Sequence, residues 1–382
     1  MNKSLTLAAN AIPHVGGQGL NLSHMLAGLG QDFALEVFCR GDCSAAPTRV
    51  VPSSFFAEQV LTLPVIRRLR GWQHYFSERH FDRYVASRLR RTDVFQGATG
   101  QCALSLAKAK ALGCRTVVDV VTTHVDDGIC QLSPEFAYFG LRPEFHPPQI
   151  ARIRREFGLA DLIRVMSPHA QATFLARGFD ARRVVVVPPI IDVNEFPQAQ
   201  FEAGKFRISF VGMLELVKGF HYLIEAFDGL PAPGAELVLW GAPGSRPVNR
   251  FLRRHLAANP AIQMRPVSVR AVGYGAVYGQ SHVLVLPSLA DGFGLVVPEA
   301  MACGVPVIVS RNAGSSALVV DGENGFIVPP RDPGAIRERL LWLYEHRGRL
   351  REMGQAARQA ASRLTLDNFR EHYLPALRAL CC

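Results

Sequence analysis

Short apolar runs alternate with amphipathic segments through the carboxy-terminal half of the chain. The runs Phe206–Val211, Glu236–Trp240 and His282–Leu286 are each followed by a glycine or a proline, which is typical of buried strands. Between them, Phe220–Phe227 carries apolar residues at helical spacing. Repeated strand–helix units of this kind predict a parallel sheet with helices on both faces.

The amino-terminal half shows the same pattern less regularly. Its segment Pro188–Lys205 is rich in proline and polar residues and has no clear periodicity, which predicts a linker. We therefore predict an α/β protein with two Rossmann-like domains, residues 1–195 and 196–363. The strands predicted for the first domain are Ser4–Ala9, Leu35–Cys39, Val94–Gln96, Arg115–Val121, Leu162–Met166 and Val184–Val187.

Length and composition agree with two domains. A chain of 382 residues is long for one doubly wound domain, and an apolar share of 48% can fill two cores. No stretch is long and apolar enough to span a membrane. The apolar start breaks into a loop with Gly16, Gly17 and Gly19, so we predict no signal peptide. The cysteines lack the spacing of zinc ligands, which favours free thiols and a cytoplasmic location.

The net charge of +10 indicates an anionic partner, which can be a phosphorylated substrate, an acidic membrane face or nucleic acid. Aromatic residues and arginines interleave in Leu61–Asp93. One interpretation is a peripheral contact with anionic lipid at the inner face of the membrane. The other, which we favour, is a helix with inward aromatics and solvated arginines. No nucleic-acid-binding motif accompanies the charge, so no nucleic acid is expected. The arginines are Arg67, Arg68, Arg70, Arg79, Arg83, Arg88, Arg90 and Arg91.

The strongest local motif is the segment DGFGLVVPE, which follows a predicted strand and opens a helix. Gly292 and Gly294 let the backbone approach a ligand closely, and the free N–H groups of a helix start favour a diphosphate. Asp291 and Glu299 place two carboxylates beside this loop, and ionised carboxylates accept hydrogen bonds from sugar or ribose hydroxyls. The alternative is a tight turn whose glutamate caps the helix or faces solvent.

Three weaker motifs accompany it. Lys218 opens a helix shortly after the strand that ends before Gly212, where a cation can meet phosphate oxygens. Gly16 and Gly17 lie between the first strand and the first helix and suit a loop that approaches phosphate. His124 follows a strand and has a polar neighbourhood. Each has a plain alternative: a surface lysine, an ordinary turn and a structural histidine.

Taken together, these segments resemble the retaining glycosyltransferase family that includes sucrose-phosphate synthases and bacterial mannosyltransferases. The resemblance covers about Ile208 to Asp332 and rests on FVGMLELVKGFHYLIEAF, VLVLPSLADGFGLVVPEAMACGVPVIVS and VDGENGFIVPPRDP. It is looser before that, where it rests on the glycine-rich loop, on the strand before His124, and on ADLIRVMSPHAQATFLARGF followed by VVVVPP. It implies the GT-B fold, in which the parallel sheets of two Rossmann-like domains face each other across a cleft.

The resemblance also implies roles for single residues. Glu299 would hold the donor ribose, and Asp291 would meet a sugar hydroxyl together with the loop amides. Lys218 would pair with the diphosphate, Gly16 and Gly17 would close over it, and His124 would contact the transferred sugar. The set expected around the donor is Gly16, Gly17, Gly212, Lys218, Gly292, Phe293, Gly294, Leu295 and Glu299, and the catalytic candidates are His124, Lys218 and Asp291.

The chain departs from the family at three positions. Met213 stands where the family commonly has arginine, Ala317 where a glutamate is frequent, and Asp291 where glutamate is usual. No Asp-x-Asp motif occurs, so we expect no metal and no cofactor beyond a nucleotide-sugar donor; the acceptor is unidentified. The competing functions are a non-catalytic nucleotide-sugar-binding protein, a GT-B-type nucleotide-sugar epimerase and a phosphorylase, although no signature of a pyridoxal lysine is evident.

The last segment of the chain predicts a helix with one apolar face. In Leu364–Leu380, Thr365 can cap a helix whose apolar residues fall close to one side. We expect residues 364–382 to cross back to the amino-terminal domain. The alternative is that this helix covers its own domain.

Overall fold

The computed structural model describes residues 3–54, 70–141, 146–202, 204–242, 244, 246–267 and 269–381. Within these residues, parallel strands form two sheets, one in each half of the chain, and helices cover both. The α/β prediction is therefore correct. Residues 61–69 of the arginine-rich stretch, which include Arg67 and Arg68, lie outside the described part of the chain.

The first sheet, over the described residues, has the strand order β3-β2-β1-β4-β5-β6-β7. Its strands are β1 Lys3–Ala8, β2 Phe33–Cys39, β3 Thr48–Val50, β4 Val94–Ala98, β5 Arg115–Val120, β6 Leu162–Val165 and β7 Val184–Val186. Its helices are α1 Gly16–Leu29, α2 Arg70–Arg88, α3 Ala103–Ala111, α4 Val125–Tyr138, α5 Pro147–Leu159 and α6 Pro168–Leu175. The strand order reverses between β1 and β4, and such switch points are where open parallel sheets bind ligands at their carboxyl ends.

The second sheet, again over the described residues, has the order β10-β9-β8-β11-β12-β13. Its strands are β8 Phe206–Val211, β9 Ala235–Trp240, β10 Ile262–Arg265, β11 Val283–Leu286, β12 Val307–Ser310 and β13 Gly325–Val328. Its helices are α7 Phe220–Asp228, α8 Arg246–Ala258, α9 Val269–Val272, α10 Tyr274–Val277, α11 Val296–Ala302, α12 Pro333–Glu345 and α13 Leu350–Ala361. The switch point of this sheet lies between β8 and β11.

The final helix, α14 Leu366–Leu380, packs on the first sheet through its buried face. Its residues Phe369 and Tyr373 are fully buried in the core that contains β1 and α1. A Cβ on Gly28 of α1 would lie 2.2 Å from the Phe369 ring, so glycine is what lets the two helices approach. The Tyr373 hydroxyl donates a 2.7 Å hydrogen bond to Gln96 of β4.

The chain passes between its halves at two places, and these lie side by side. The amide of Ile191, in the first crossing, donates a 2.7 Å hydrogen bond to the carbonyl of Leu364, in the second. Arg358 of α13 also donates to the carbonyls of Val193, at 2.8 Å, and Phe196, at 3.1 Å. The two crossings are therefore hydrogen-bonded to each other.

Helix α2 follows the interpretation with solvated arginines over the part that the structure describes. Phe81 and Val85 are buried, whereas Arg83, Arg88 and the following Arg90 and Arg91 are exposed. Trp72 stays partly exposed. No described helix is both long and apolar enough to cross a bilayer. Contact with a membrane surface remains a prediction.

Candidate active site

The loops that follow β8 and β11 lie against each other at the carboxyl edge of the second sheet. Gly219 adopts a left-handed conformation with φ 65°, and a Cβ there would lie 2.1 Å from the carbonyl oxygen of Pro287. The amide of Leu289 donates a 2.8 Å hydrogen bond to the carbonyl of Val217. This close approach fixes the residue before Gly219, Lys218, beside the loop that begins at Pro287.

Lys218 and Asp291 form an ion pair in which Nζ and Oδ2 lie 2.5 Å apart. Asp291 is buried and also accepts hydrogen bonds from the Ser288 hydroxyl at 3.3 Å and the Phe293 amide at 3.4 Å. The Lys218 side chain keeps 27% of its surface exposed. Because an ammonium carries three donors, Lys218 can meet an anion while it holds Asp291. The structure thus brings these two predicted residues together.

Gly292 closely approaches the backbone of the other half of the chain. A Cβ on Gly292 would lie 2.3 Å from the carbonyl oxygen of Val121, which directly follows β5. The Gly292 carbonyl accepts a 2.6 Å hydrogen bond from the Ser167 hydroxyl at the start of α6. The missing side chain of Gly292 is thus needed for contact between the halves, and the predicted approach of its backbone to the donor stays a prediction. The same contact places the carboxyl edges of both sheets face to face.

The other loop residues have distinct roles. Gly294 has φ 85°, and a Cβ there would lie 2.6 Å from the Leu286 side chain. The Phe293 ring is buried. The Phe293 amide, which the sequence analysis expected to meet the donor, donates a hydrogen bond to Asp291. Leu295 is the residue before helix α11, where no side chain caps the helix.

Glu299 is buried in the first turn of α11, with 9% of its surface exposed. Its Oε2 accepts a 2.8 Å hydrogen bond from the hydroxyl of Tyr278. Burial raises the pKa of Tyr278 well above its usual range, and the Glu299 carboxylate raises it further. The hydroxyl is thus a permanent donor that orients the carboxylate. This arrangement excludes the alternative in which Glu299 faces solvent.

The glycine-rich loop leaves the first turn of α1 uncovered by side chains. Gly16 has φ 67°, and a Cβ on Gly16 or Gly17 would meet nothing within 4 Å. No side chain caps the helix at Val15. The tight glycine of this loop is Gly19, whose Cβ would lie 2.0 Å from the carbonyl oxygen of Ile12. The open amides of this turn suit an anion, as predicted for Gly16 and Gly17.

The ring of His124 packs into the amino-terminal half. This residue precedes α4, where Nδ1 accepts a 3.2 Å hydrogen bond from the Asp126 amide, and only 4% of its surface is exposed. Its ring packs against Phe157, Phe174 and Phe179, with centroid distances of 5.2, 4.9 and 5.7 Å. Burial lowers the pKa of His124. The structure does not bring this imidazole to Lys218 and Asp291: the contacts described for it belong to the amino-terminal half.

Glu135, a buried carboxylate that no sequence motif predicts, joins the two halves at another place than Gly292. Glu135 of α4 accepts hydrogen bonds from His221 at 2.9 Å, from Tyr222 at 3.0 Å and from Nε of Arg331 at 2.7 Å. Burial raises the pKa of Glu135, but the bonds from His221 and Arg331 outweigh it and hold the pKa below its usual value. Arg331 itself adopts φ 61°, which is rare for a residue with a side chain.

The departures from the family are visible at the surface. Met213, where an arginine is common, is 54% exposed beside Gly212, and Ala317 is exposed in a short 3-10 helix, Gly314–Leu318. Gly212 has φ 140°, and its carbonyl would lie 1.9 Å from a Cβ on Gly241. Across the part of the chain that the structure describes, no three His, Cys, Asp or Glu side chains are arranged to hold a metal.

Sequence comparison matches the carboxy-terminal half of the chain to a known family. Residues 192–360 match the family described as glycosyl transferases group 1. The D-inositol 3-phosphate glycosyltransferase of Xylanimonas cellulosilytica is 30% identical over 229 residues, which are 53% of this chain and 53% of that protein. The enzyme of the same name from Corynebacterium urealyticum is 26% identical over 245 residues, 58% and 57% of the two chains. This chain spans about half the length of the curated relatives it matches.

Structural comparison confirms the GT-B arrangement. The sucrose-phosphate synthase of Thermosynechococcus elongatus superposes with a TM-score of 0.75 at 19% identity, and 99% of each chain is covered. Anabaena Alr3699/HepE, solved in complex with UDP, superposes with a TM-score of 0.70 at 16% identity, covering 99% of this chain and 100% of that one. At these identities the likeness establishes the fold.

Proposed function

We propose that this chain, whose residues 192–360 match the glycosyl transferases group 1 family, transfers a sugar from a nucleotide-diphosphate-sugar donor to an acceptor hydroxyl. The observation that carries the proposal is the Lys218–Asp291 pair, whose loop leads into the helix that carries the buried Glu299 in its first turn. These groups suit the diphosphate, the sugar and the ribose of one donor. The amides of Gly16 and Gly17 suit the diphosphate from the other half.

In the reaction, the bond between the anomeric carbon and the diphosphate oxygen breaks, and a bond to the acceptor oxygen forms. Negative charge grows on the leaving diphosphate, and a preorganised cation and helix amides stabilise it without reorganisation. Lys218 supplies the cation. We propose that the acceptor proton passes to the departing phosphate on the same face of the sugar, which gives retention and requires no metal.

The acceptor belongs to the proposal only as a class. The relatives named above are D-inositol 3-phosphate glycosyltransferases, and a net charge of +10 favours an anionic acceptor. A phosphorylated polyol fits both observations. A lipid-linked or polysaccharide acceptor remains an outcome of the experiment. Nothing in the comparisons favours a nucleotide-sugar epimerase or a binder without activity.

The experiment is a thermal-shift panel of UDP-, GDP- and ADP-sugars with the full chain, followed by hydrolysis of the stabilising donor without acceptor. We expect one base to raise the melting temperature and slow release of free sugar, which a pure binder does not give. Transfer is then measured with inositol phosphate and with lipid acceptors, with and without a chelator. Activity that a chelator abolishes and a divalent cation restores contradicts metal independence. Stabilisation without hydrolysis or transfer favours the non-catalytic alternative.

A further inference from the structure

Two buried polar atoms near Asp291 have no hydrogen-bond partner among the described residues. They are Nε2 of His169 and Oγ of Ser315. One comes from each half of the chain. Buried polar atoms in folded proteins are nearly always paired, so an unpaired one near a functional site calls for a ligand or another explanation.

His169 lies in the first turn of α6, two residues after Ser167, whose hydroxyl binds the Gly292 carbonyl. Its imidazole is half-buried, and burial lowers its pKa, while the carboxylates of Asp127 and Asp291 act in the opposite direction. In its neutral form the ring offers one N–H donor and one acceptor. The hydrogen bond from Ser167 to Gly292, two residues before this histidine, places the start of α6 beside the loop that the donor is expected to meet.

Ser315 is fully buried in the 3-10 helix Gly314–Leu318, and its amide donates a 2.7 Å hydrogen bond to the Phe293 carbonyl. A Cβ built on Gly294 would lie 3.4 Å from Ser315 Oγ and 3.4 Å from Asp291 Oδ2. The hydroxyl and the carboxylate therefore lie on the same side of Gly294. The hydrogen bond from the Ser315 amide to Phe293 fixes the position of Ser315 before any ligand arrives.

The chemistry of the missing partner follows from the three groups. A carboxylate accepts hydrogen bonds, whereas a neutral imidazole and a hydroxyl both donate and accept. A ligand that matches all three carries several hydroxyls close together, as a hexose does. A diphosphate is acceptor-only and leaves the carboxylate unmatched.

We propose that His169 and Ser315 bind hydroxyls of the donor's sugar, so that the sugar is held between residues of both halves together with Asp291. This inference rests on the proposed function. It assigns to His169 the contact that sequence motifs assign to His124. The two residues recognise the sugar and not the nucleotide, which separates them from Glu299 and Lys218.

The test is titration calorimetry of the full chain with UDP-glucose, GDP-mannose and ADP-glucose, and with UDP, GDP and ADP. The variants are His169→Ala, His169→Gln, His169→Asn and Ser315→Ala. The matched controls are His74→Ala, an exposed residue of α2, and Ser316→Ala, the neighbour of Ser315. Circular dichroism checks that each variant is folded.

We expect His169→Ala and Ser315→Ala each to weaken binding of the preferred nucleotide sugar roughly three- to tenfold, the loss of one hydrogen bond, and to leave the free nucleotide unaffected. His169→Gln, whose amide nitrogen can occupy the place of Nε2, should recover part of the affinity, and His169→Asn should not. If His169→Ala does not fold, His169→Gln against His169→Asn and Ser315→Ala decide the outcome.

Equal loss for the nucleotide and the nucleotide sugar, or no loss in either variant, overturns this inference while the proposed function stands. Wild-type chain that binds none of the nucleotide sugars overturns both. A loss as large in His74→Ala or Ser316→Ala also contradicts the assignment, because neither control residue carries a buried polar atom without a partner.

Discussion

The hydroxyl of Tyr278 donates a 2.8 Å hydrogen bond to Oε2 of Glu299 in the interior of the carboxy-terminal half. Both side chains are buried, and Tyr278 stacks on Tyr274 with ring centroids 6.2 Å apart. A carboxylate held in this way has its orientation fixed before a ribose arrives. Tyr278 is therefore a positioning residue for Glu299.

Replacing Glu299 with alanine should weaken nucleotide binding by about 1.5–3 kcal/mol, the value of hydrogen bonds to a charged group. Tyr278→Phe keeps the ring and removes one orienting bond, so it should weaken binding by about 0.5–1.5 kcal/mol. Calorimetry with the free nucleotide measures both. Unchanged affinity for the nucleotide in a folded Glu299→Ala variant would contradict the assignment of Glu299 to the ribose.

Lys218→Met should lower turnover about 10²-fold or more, because it removes a preorganised cation from the developing charge. The acceptor KM should change much less. Steady-state kinetics with the preferred donor separate the two quantities. Lys205→Met, a change to an exposed lysine that pairs with Glu202, is the control. A Lys218 variant that loses only acceptor affinity would place this lysine at the acceptor and not at the diphosphate.

Arg331→Ala should lower the free energy of unfolding by about 1.5–3 kcal/mol, because buried Glu135 loses a charged hydrogen bond. Arg331→Gly should be less destabilised, by about 1 kcal/mol, since glycine adopts φ 61° without strain. Denaturant unfolding measures both, with Arg182→Ala at an exposed ion pair as the control. Equal stability of the alanine and glycine variants would mean that the left-handed backbone stores no strain.

Two carboxyl groups should make stability fall as the pH rises. Burial raises the pKa of Glu156 to about 7 and that of Glu78 to about 8, against 4.5 for the unfolded chain. Between the unfolded pKa of 4.5 and the folded pKa values of about 7 and 8, the folded protein binds more protons than the unfolded chain. The stability that the two carboxyl groups contribute is therefore complete below pH 4.5 and is lost as the pH rises through 7 and 8.

Unfolding in denaturant across this pH range measures the slope. Glu156→Gln should make it shallower, because glutamine cannot take up the proton. An unchanged slope in that variant would assign the pH dependence to other groups.

Phe369→Ala should destabilise the protein by about 3–5 kcal/mol, as for a buried aromatic side chain that leaves a cavity. The ring fills the space above Gly28 in the amino-terminal half. Leu366→Ala, at a partly exposed position of the same helix, is the control and should cost little. Equal effects of the two substitutions would show that α14 contributes by helix formation and not by its buried face.

The sequence predicted the site best where one local segment carries it. Asp291 lies on the loop and Glu299 in the first turn of the helix that the loop opens, so spacing alone puts them on one segment. Lys218 joins them because strands β8 and β11 are neighbours, which the strand pattern does not reveal. Tyr278, Ser167 and Ser315 were missed because isolated hydroxyl residues carry no periodic signal.

The fold was predicted where apolar runs are long enough to stand out. Strands β3, β10 and β13 were missed: Thr48–Val50 is short, Ile262–Arg265 mixes polar and apolar residues, and Gly325–Val328 begins with glycine. The contact of Gly292 with Val121 was not predicted, because a glycine that approaches a ligand and one that approaches another backbone look alike in sequence. Distant packing decides between them.

The bonded crossings at Ile191 and Leu364 determine how the halves can move. Two connections at separate places would let the halves slide or shear, whereas two that are hydrogen-bonded to each other act as one pivot. The hydrogen bond from Ser167 to Gly292 joins the halves as well, so any rotation that opens the cleft has to break it, and closure restores it.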